Sequence, residues 1–288
     1  MAVRKFLLPV TSTASAVSAL HTGLTLAKRW HAHLQVLHIR TAQEFAPFVG
    51  EGMTGAMIED MMSASERATG ARERSLEELF AMAAEEEGVP VGEALRGGDE
   101  PSASFTALTG REDELIAHKA RLADLTIVPH PQAGEDVAAA DALHAVLFDS
   151  GRPVLLAPVR LPDTIGKRVA IAWNGTANAA SALASVMPFV RQAEAVRILV
   201  SDDYRRPGPS GAEVAEYISH HGVTADVVQF YPRRGVTGAG LLAAAGDFGA
   251  DLMSMGAYST ASRLRQLILG GITRHVLENA QLPVLMNR

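Results

Sequence analysis

Cysteine is absent from the 288-residue chain, which removes disulfides, thiolate nucleophiles and Cys-based metal sites together. Aromatic residues make up only 5%, so the core must be built from Ala, Leu, Val and Ile, a composition suited to parallel sheets covered by helices. Long apolar runs are missing too. No stretch of about eighteen apolar residues occurs, and the N-terminal MAVRKFLLPV is too short in apolar residues for an export signal. With a net charge of −6 and a pI near 5.9, there is no basic field of the kind that drives general nucleic-acid binding. These absences lead us to expect a soluble cytoplasmic protein without membrane or nucleic-acid partners. There is also no Gly-x-Ser-x-Gly elbow, no Gly-x-x-x-x-Gly-Lys-Ser/Thr loop and no paired acidic motif, so no residue is assigned as catalytic or metal-binding.

What is present is alternation. Hydrophobic residues make up 48% of the chain, enough to fill one or two cores. Val3 to Val10 reads as a buried strand, Ala14 to Trp30 as an amphipathic helix, and His33 to Ile39 as a second strand. A helix-rich insertion follows over about 41–88. Its Met53, Met57, Met61 and Met62 recur at helical spacing, which predicts packing against the sheet or a partner, and the charged run from Glu66 to Glu87 predicts a solvated helix face. A third strand is expected at Val89 to Leu95, then a helix to about Arg121, a strand at Asp124 to Val128, a helix near Val137 to Phe148 and a strand at Pro153 to Ala157. The second half repeats this order. Strands are expected at Arg168 to Trp173, Val196 to Ser201, Val223 to Phe230, Leu252 to Met255 and Pro283 to Met286, with helices between them.

The repetition extends to the residues. KFLLPVTST aligns with RVAIAWNGT, ADLTIVPH with ADLMSMGA, and RPVLLAP with LPVLMNR, in the same order, which predicts a tandem duplication. The expected units are 1–158 and 168–288, joined by a linker at 159–167 in a segment rich in Pro and Gly. Strands alternating with helices imply parallel βαβ units.

The closing stretch from Ala250 to Arg288 carries the most chemistry. A short apolar run breaks at Gly256, and a polar loop leads to Gly270 and Gly271 ahead of a helical pattern. Strand, glycine and helix N-terminus together present bare backbone N–H groups to phosphate.

IAWNGTANAASALASVMPFV, the segments GADLMSMGAYS, GGITRHVL and LPVLM, and the first-half SGRPVLLAP resemble the universal stress protein family in its tandem form. The resemblance covers nearly the whole chain outside the insertion. It implies two doubly wound α/β domains, each a five-stranded parallel sheet of order 3-2-1-4-5 with helices on both faces. It further implies that the last strands of the two halves pair with each other, and a homodimer is common in such proteins.

The resemblance places an adenine nucleotide such as ATP, with Mg2+, in the second half. The implied contacts are Ala172, Trp173, Asn174, Gly175, Val200, Met255, Gly256, Tyr258, Ser259, Gly270, Gly271, Ile272 and Thr273. The family pattern is Gly, two residues, Gly, nine residues, Gly, then Ser or Thr. Here Ser259 replaces the second glycine, the loop is one residue longer, Gly271 replaces the hydroxyl residue, and Asn174 stands where Asp is usual. In the first half Glu135, Asp136 and Asp141 occupy the phosphate position and would repel a triphosphate, so nucleotide is expected in the second half alone.

Several residues carry a plainer structural reading beside the functional one. Asn174 can cap the following helix. Arg233 and Arg234 can meet phosphate or stand as loop arginines. His31, His33 and His38 lack the partners of a metal site and read as strand-end histidines. The primary expectation is a non-enzymatic, nucleotide-responsive stress module; the alternatives are a ligand-free interaction protein and a slow ATPase.

Overall fold

The computed structural model of the protein describes residues 3–40, 55–93, 99–130, 141–160, 163–258 and 271–288. The first half runs β1 (Lys5–Val10), α1 (Thr13–Trp30), β2 (His33–Arg40), α2 (Gly55–Glu87), β3 (Ser102–Thr109), α3 (Glu112–Ala120), β4 (Leu125–Val128), α4 (Asp141–Asp149) and β5 (Val154–Leu156). The second runs β6 (Arg168–Ala172), α5 (Ala177–Val190), β7 (Ala195–Val200), α6 (Gly211–Ser219), β8 (Ala225–Gln229), α7 (Thr237–Phe248), β9 (Leu252–Gly256), α8 (Ile272–Asn279) and β10 (Val284–Asn287).

All the strands join one sheet of order β3-β2-β1-β4-β5-β10-β9-β6-β7-β8. Each half contributes five parallel strands in the order 3-2-1-4-5, and the two runs meet where β5 and β10 pair antiparallel through Leu156–Val284, Leu155–Leu285 and Val154–Met286. All six side chains are buried, so the seam belongs to the hydrophobic core. One core layer holds α1, α2, α5 and α6 against the sheet, and the other holds α3, α4, α7 and α8. Each layer runs across both halves.

The duplicated ADL segments show how sequence sets this geometry. Asp124, ahead of β4, accepts the Arg4 and Lys5 backbone N–H groups at 2.8 and 3.0 Å. Asp251, ahead of β9, accepts those of Arg168 and Lys167 at 2.8 and 3.0 Å. In both copies a carboxylate satisfies the backbone where the first strand of the unit enters the sheet, which fixes its register against the fourth.

The third strand lies elsewhere than the apolar run suggested. Val89 is buried, but Val91 makes only an isolated bridge to Ala103, and the strand beside β2 is Ser102–Thr109. That segment lies within the stretch expected to be helical. As an edge strand it is held by polar pairs: His33 reaches Ser102 and Ser104 at 2.9 Å each, and Gln35 donates to Thr106.

The methionine expectation fails in part. Met57, Met61 and Met62 are exposed, while Leu76, Phe80, Ala83 and Ala84 supply the buried face of α2. Met53 lies outside the described residues. Arg40 clamps α2 to β2 through a bidentate pair with Glu73 at 2.5 and 2.7 Å.

Candidate functional site

In a parallel sheet of this order the connections leaving the two strands at the topological switch run to opposite faces, leaving a crevice beyond the carboxyl ends. In the second half these strands are β6 and β9, with Ala172 beside Met255 at the last shared rung. The chain leaves β6 through Trp173, whose N–H donates to the Leu199 carbonyl at 3.0 Å, and then turns at Gly175 with φ +85°.

Thr176 is the N-cap of α5 and accepts from Ala179 N–H at 3.2 Å; Asn174 Oδ1 in turn accepts from the Thr176 N–H and hydroxyl at 3.2 and 2.8 Å. Asn174 therefore steadies the cap without being the cap.

The loop after β7 folds back over this turn. Arg206 N–H donates to the Asn174 carbonyl at 2.7 Å, and Trp173 Nε1 donates to the Pro209 carbonyl at 2.7 Å. The approach is close enough to require glycine, because an ideal Cβ on Gly208 would lie 2.0 Å from the Gly175 carbonyl oxygen. Tyr204 anchors the loop beside Phe230, and burial pushes its phenol up to about 12.

Between this strap and the ends of β6 and β7 lies a cavity of about 170 Å³, bounded by Trp173, Asn174, Val200, Ser201, Asp202, Arg205, Gln229 and the first residues of α6. Ser201 is 4% exposed, and its hydroxyl has no hydrogen-bond partner among the described residues. A buried hydroxyl left unpaired costs about 1–3 kcal/mol, a cost that a polar ligand in the cavity would relieve. Gln229 donates to Asp202 at 3.0 Å, and Ser210 with Glu213 forms a capping box on α6.

The structure gathers Trp173, Asn174 and Val200 at the cavity, with Gly175 in the turn beside it, while Ala172 and Met255, paired across β6 and β9, belong to the opposite core layer and do not line it. Gly256 packs against α5: a Cβ there would lie 2.6 Å from Ala179 N. Asn178 donates to the Ala257 carbonyl at 2.8 Å and to the Tyr258 carbonyl.

Tyr258, with φ +46°, turns its ring away from the cavity into the opposite core layer, against His144 and Phe148 of α4. Gly271, Ile272 and Thr273 open α8, which packs in that same layer and does not line the cavity. Ser259 and Gly270 lie outside the described residues. Ser201, Asp202, Arg205 and Gln229 escaped the sequence reading, since the β7–β8 pairing sets Gln229 beside Val200 and the strap adds Arg205.

Of the loop arginines, Arg233 faces Asp247 at 3.4 Å and Arg234 sits at φ +52°. In the first half Glu135 and Asp136 lie outside the described residues. Asp141 begins α4; burial, then the charges of Asp141 and Asp113, push the carboxyl of Glu112, at the start of α3, above its ordinary range. Among the described residues no group of three or more His, Asp or Glu side chains could hold a metal, and no helix is long and apolar enough to cross a membrane.

No protein-family model and no curated protein matches the chain. Solved structures do match. A universal stress protein from Archaeoglobus fulgidus DSM 4304 superposes with a TM-score of 0.64 at 16% identity, covering 99% of this chain and 98% of that one. A functionally unknown protein from Pseudomonas aeruginosa PAO1 gives 0.55 at 15% identity over 99% and 92% of the two chains. A putative universal stress protein from Pseudomonas aeruginosa UCBPP-PA14 gives 0.55 at 14% identity over 99% and 93%. At such identities the likeness establishes the fold: the chain is an α/β protein with the universal stress protein architecture over its whole length.

Proposed function

We propose that this chain, built on the universal stress protein fold, is a non-enzymatic stress-response module that senses an adenine nucleotide through its second half. In this reading the units are 1–158 and 168–288, with the linker at 159–167, and the protein works in the cytoplasm. The observation that carries the proposal is the cavity at the ends of β6 and β7, with the unpaired Ser201 hydroxyl inside it. Its volume, about 170 Å³, falls below the ~300–1,000 Å³ of whole-ligand pockets. It suits a single heterocycle, with Trp173 and Val200 as apolar walls and Ser201, Asp202 and Gln229 as polar edges. The ribose and phosphates, with any Mg2+, would extend from it toward the crevice between β6 and β9, where Gly256, Tyr258, Ser259, Gly270, Gly271, Ile272 and Thr273 are the proposed contacts.

Calorimetry with ATP, AMP and Mg2+ tests this reading. Saturable binding of an adenine nucleotide below millimolar concentration, weakened by Val200→Trp, is expected. No binding of any adenine nucleotide at that concentration removes the nucleotide from the proposal. ATP hydrolysis has no assigned base in this arrangement.

One observation favours a second reading, a ligand-free interaction protein: Met57, Met61 and Met62 are exposed on α2, and flexible Met surfaces adapt to partners. Loss of captured partners after Met57 and Met61 are changed to Ser, with no response to nucleotide, would favour it.

A further inference from the structure

A second cleft opens at the other end of the sheet, where the amino end of β1 and the carboxyl ends of α1 and α5 converge from the two halves. Its volume is about 570 Å³, and its walls include Arg4, Arg29, Trp30, Arg191 and Asp99. This volume lies within the range of small-molecule sites.

The charges in it are unbalanced. Arg4 pairs with Asp99 at 3.1 Å. Arg29 has no carboxylate within ion-pair distance among the described residues. Its Nη1 donates to the Ile165 carbonyl, its Nε donates to Gln192 Oε1 at 3.2 Å, and its guanidinium lies 5.8 and 5.9 Å from the Trp30 and Phe189 ring centres. Asp251 acts on it only from longer range and already accepts from Thr164, Lys167 and Arg168. Arg191 donates to His221 Nδ1 at 2.9 Å and likewise has no carboxylate partner among the described residues.

Cations at helix carboxyl ends complement the helix dipole, but here the carbonyls of Ala27 and Lys28 in α1 and of Met187 and Phe189 in α5 already accept backbone donors. His31 and Ala32 N–H serve α1, and Arg191 and Gln192 N–H serve α5. The Arg191 fork is thus not needed at the helix end. Half-burial of Arg29 penalises its charge, and every group it touches is neutral; an anion would remove that penalty.

We propose that this cleft binds a small organic anion, a carboxylate or phosphate attached to a planar ring. Arg29 and Arg191 neutralise the anionic group, and the ring rests against Trp30, whose indole is backed from the core by Phe189 edge to face at 5.3 Å. Both halves contribute to the site, since Arg29 and Trp30 belong to α1 and Arg191 caps α5. A ligand here would therefore stiffen the seam between them.

The chain has two tryptophans, and each lines one of the two cavities. In a Trp173→Phe variant, intrinsic fluorescence reports on Trp30 alone. Titration with phenyl phosphate and with benzoate is expected to give a saturable change in that emission for at least one of them, on the order of tenfold tighter than inorganic phosphate, with adenosine giving none. Should the Trp173→Phe chain fail to fold, calorimetry on the unaltered protein replaces the optical readout. Arg191→Gln, an exposed substitution, is expected to weaken the aryl anion on the order of tenfold while leaving the melting temperature and any adenine-nucleotide binding unchanged. The proposal is overturned if neither aryl anion saturates by about 10 mM, if inorganic phosphate binds as tightly as they do, or if Arg191→Gln binds like the unaltered chain.

Discussion

The Tyr258 hydroxyl lies 3.2 Å from Nε2 of His144, across 114 positions of sequence and across the seam between the halves. Both side chains are largely buried, and Phe148 closes the cluster with its ring centre 5.3 Å from that of Tyr258. The residue that leaves β9 toward the proposed nucleotide loop is therefore anchored in the first half.

This anchoring has a signature in alkali. Burial raises both the Tyr258 and Tyr204 phenols from an ordinary 10.0 to about 12. A raised phenol favours the protonated form in the fold, so its contribution is complete below pH 10 and is lost as pH rises through about 12. Spectrophotometric titration should show two of the four tyrosines ionising late, as the protein unfolds, with Tyr258→Phe and Tyr204→Phe each removing one late phase.

The β5–β10 seam should behave as core. Leu285 is fully buried and faces Leu155 at the centre of the antiparallel pair. Leu285→Ala is expected to cost about 2–5 kcal/mol. Urea unfolding followed by circular dichroism should show the loss in both halves together, whereas two separate transitions, with only the second displaced, would contradict a shared core.

The strap over the cavity depends on Gly208. Any side chain there would collide with the Gly175 carbonyl, at φ +153° besides. Gly208→Ala should lift the loop, free the Trp173 indole from Pro209 and weaken adenine-nucleotide binding on the order of tenfold, about 1.4 kcal/mol. Calorimetry measures the affinity, and a blue- or red-shift of Trp173 emission in a Trp30→Phe background reports the lifted loop. Unchanged affinity with a shifted emission would separate the strap from the site.

The clamp on α2 is acid-sensitive. The hydrogen bonds from Arg40 hold the Glu73 carboxyl below its ordinary range, so the stabilisation is present above the unfolded value of 4.5 and is lost as pH falls through the lower folded value. Glu73→Gln should lower thermal stability slightly at neutral pH, as expected for a partly exposed pair, and converge with the unaltered protein in acid. A stability gap that persists at pH 2 would point instead to a packing role.

How much of this was legible in the sequence depends on the kind of signal. The strands β1, β4, β6 and β9 are buried on both faces, so each shows as a largely hydrophobic stretch. The repeated ADL and PVL landmarks were legible because the same backbone tasks recur, with Asp124 and Asp251 each holding the start of a strand. The strand order and the pairing of last strands were accessible through the family resemblance.

Four features were decided only by the tertiary structure. β3 is an edge strand with a polar face, matched to β2 by His33, Ser102 and Ser104; hydrophobic periodicity cannot register such pairing, and the apolar Val89–Val91 drew the assignment away. The position of Tyr258 follows from its left-handed backbone, which carries the ring into the layer opposite the cavity. Ser201, Asp202, Arg205 and Gln229 form a cavity wall because β7 and β8 pair in register at Val200 and Gln229 and a loop folds back over Gly175. The cleft at Arg29 and Arg191 exists because β5 and β10 bring two helix ends together from separate halves. Local composition determined most of the strands and helices, β3 apart; long-range contact, set by backbone turns and seam pairing, determined where their side chains meet.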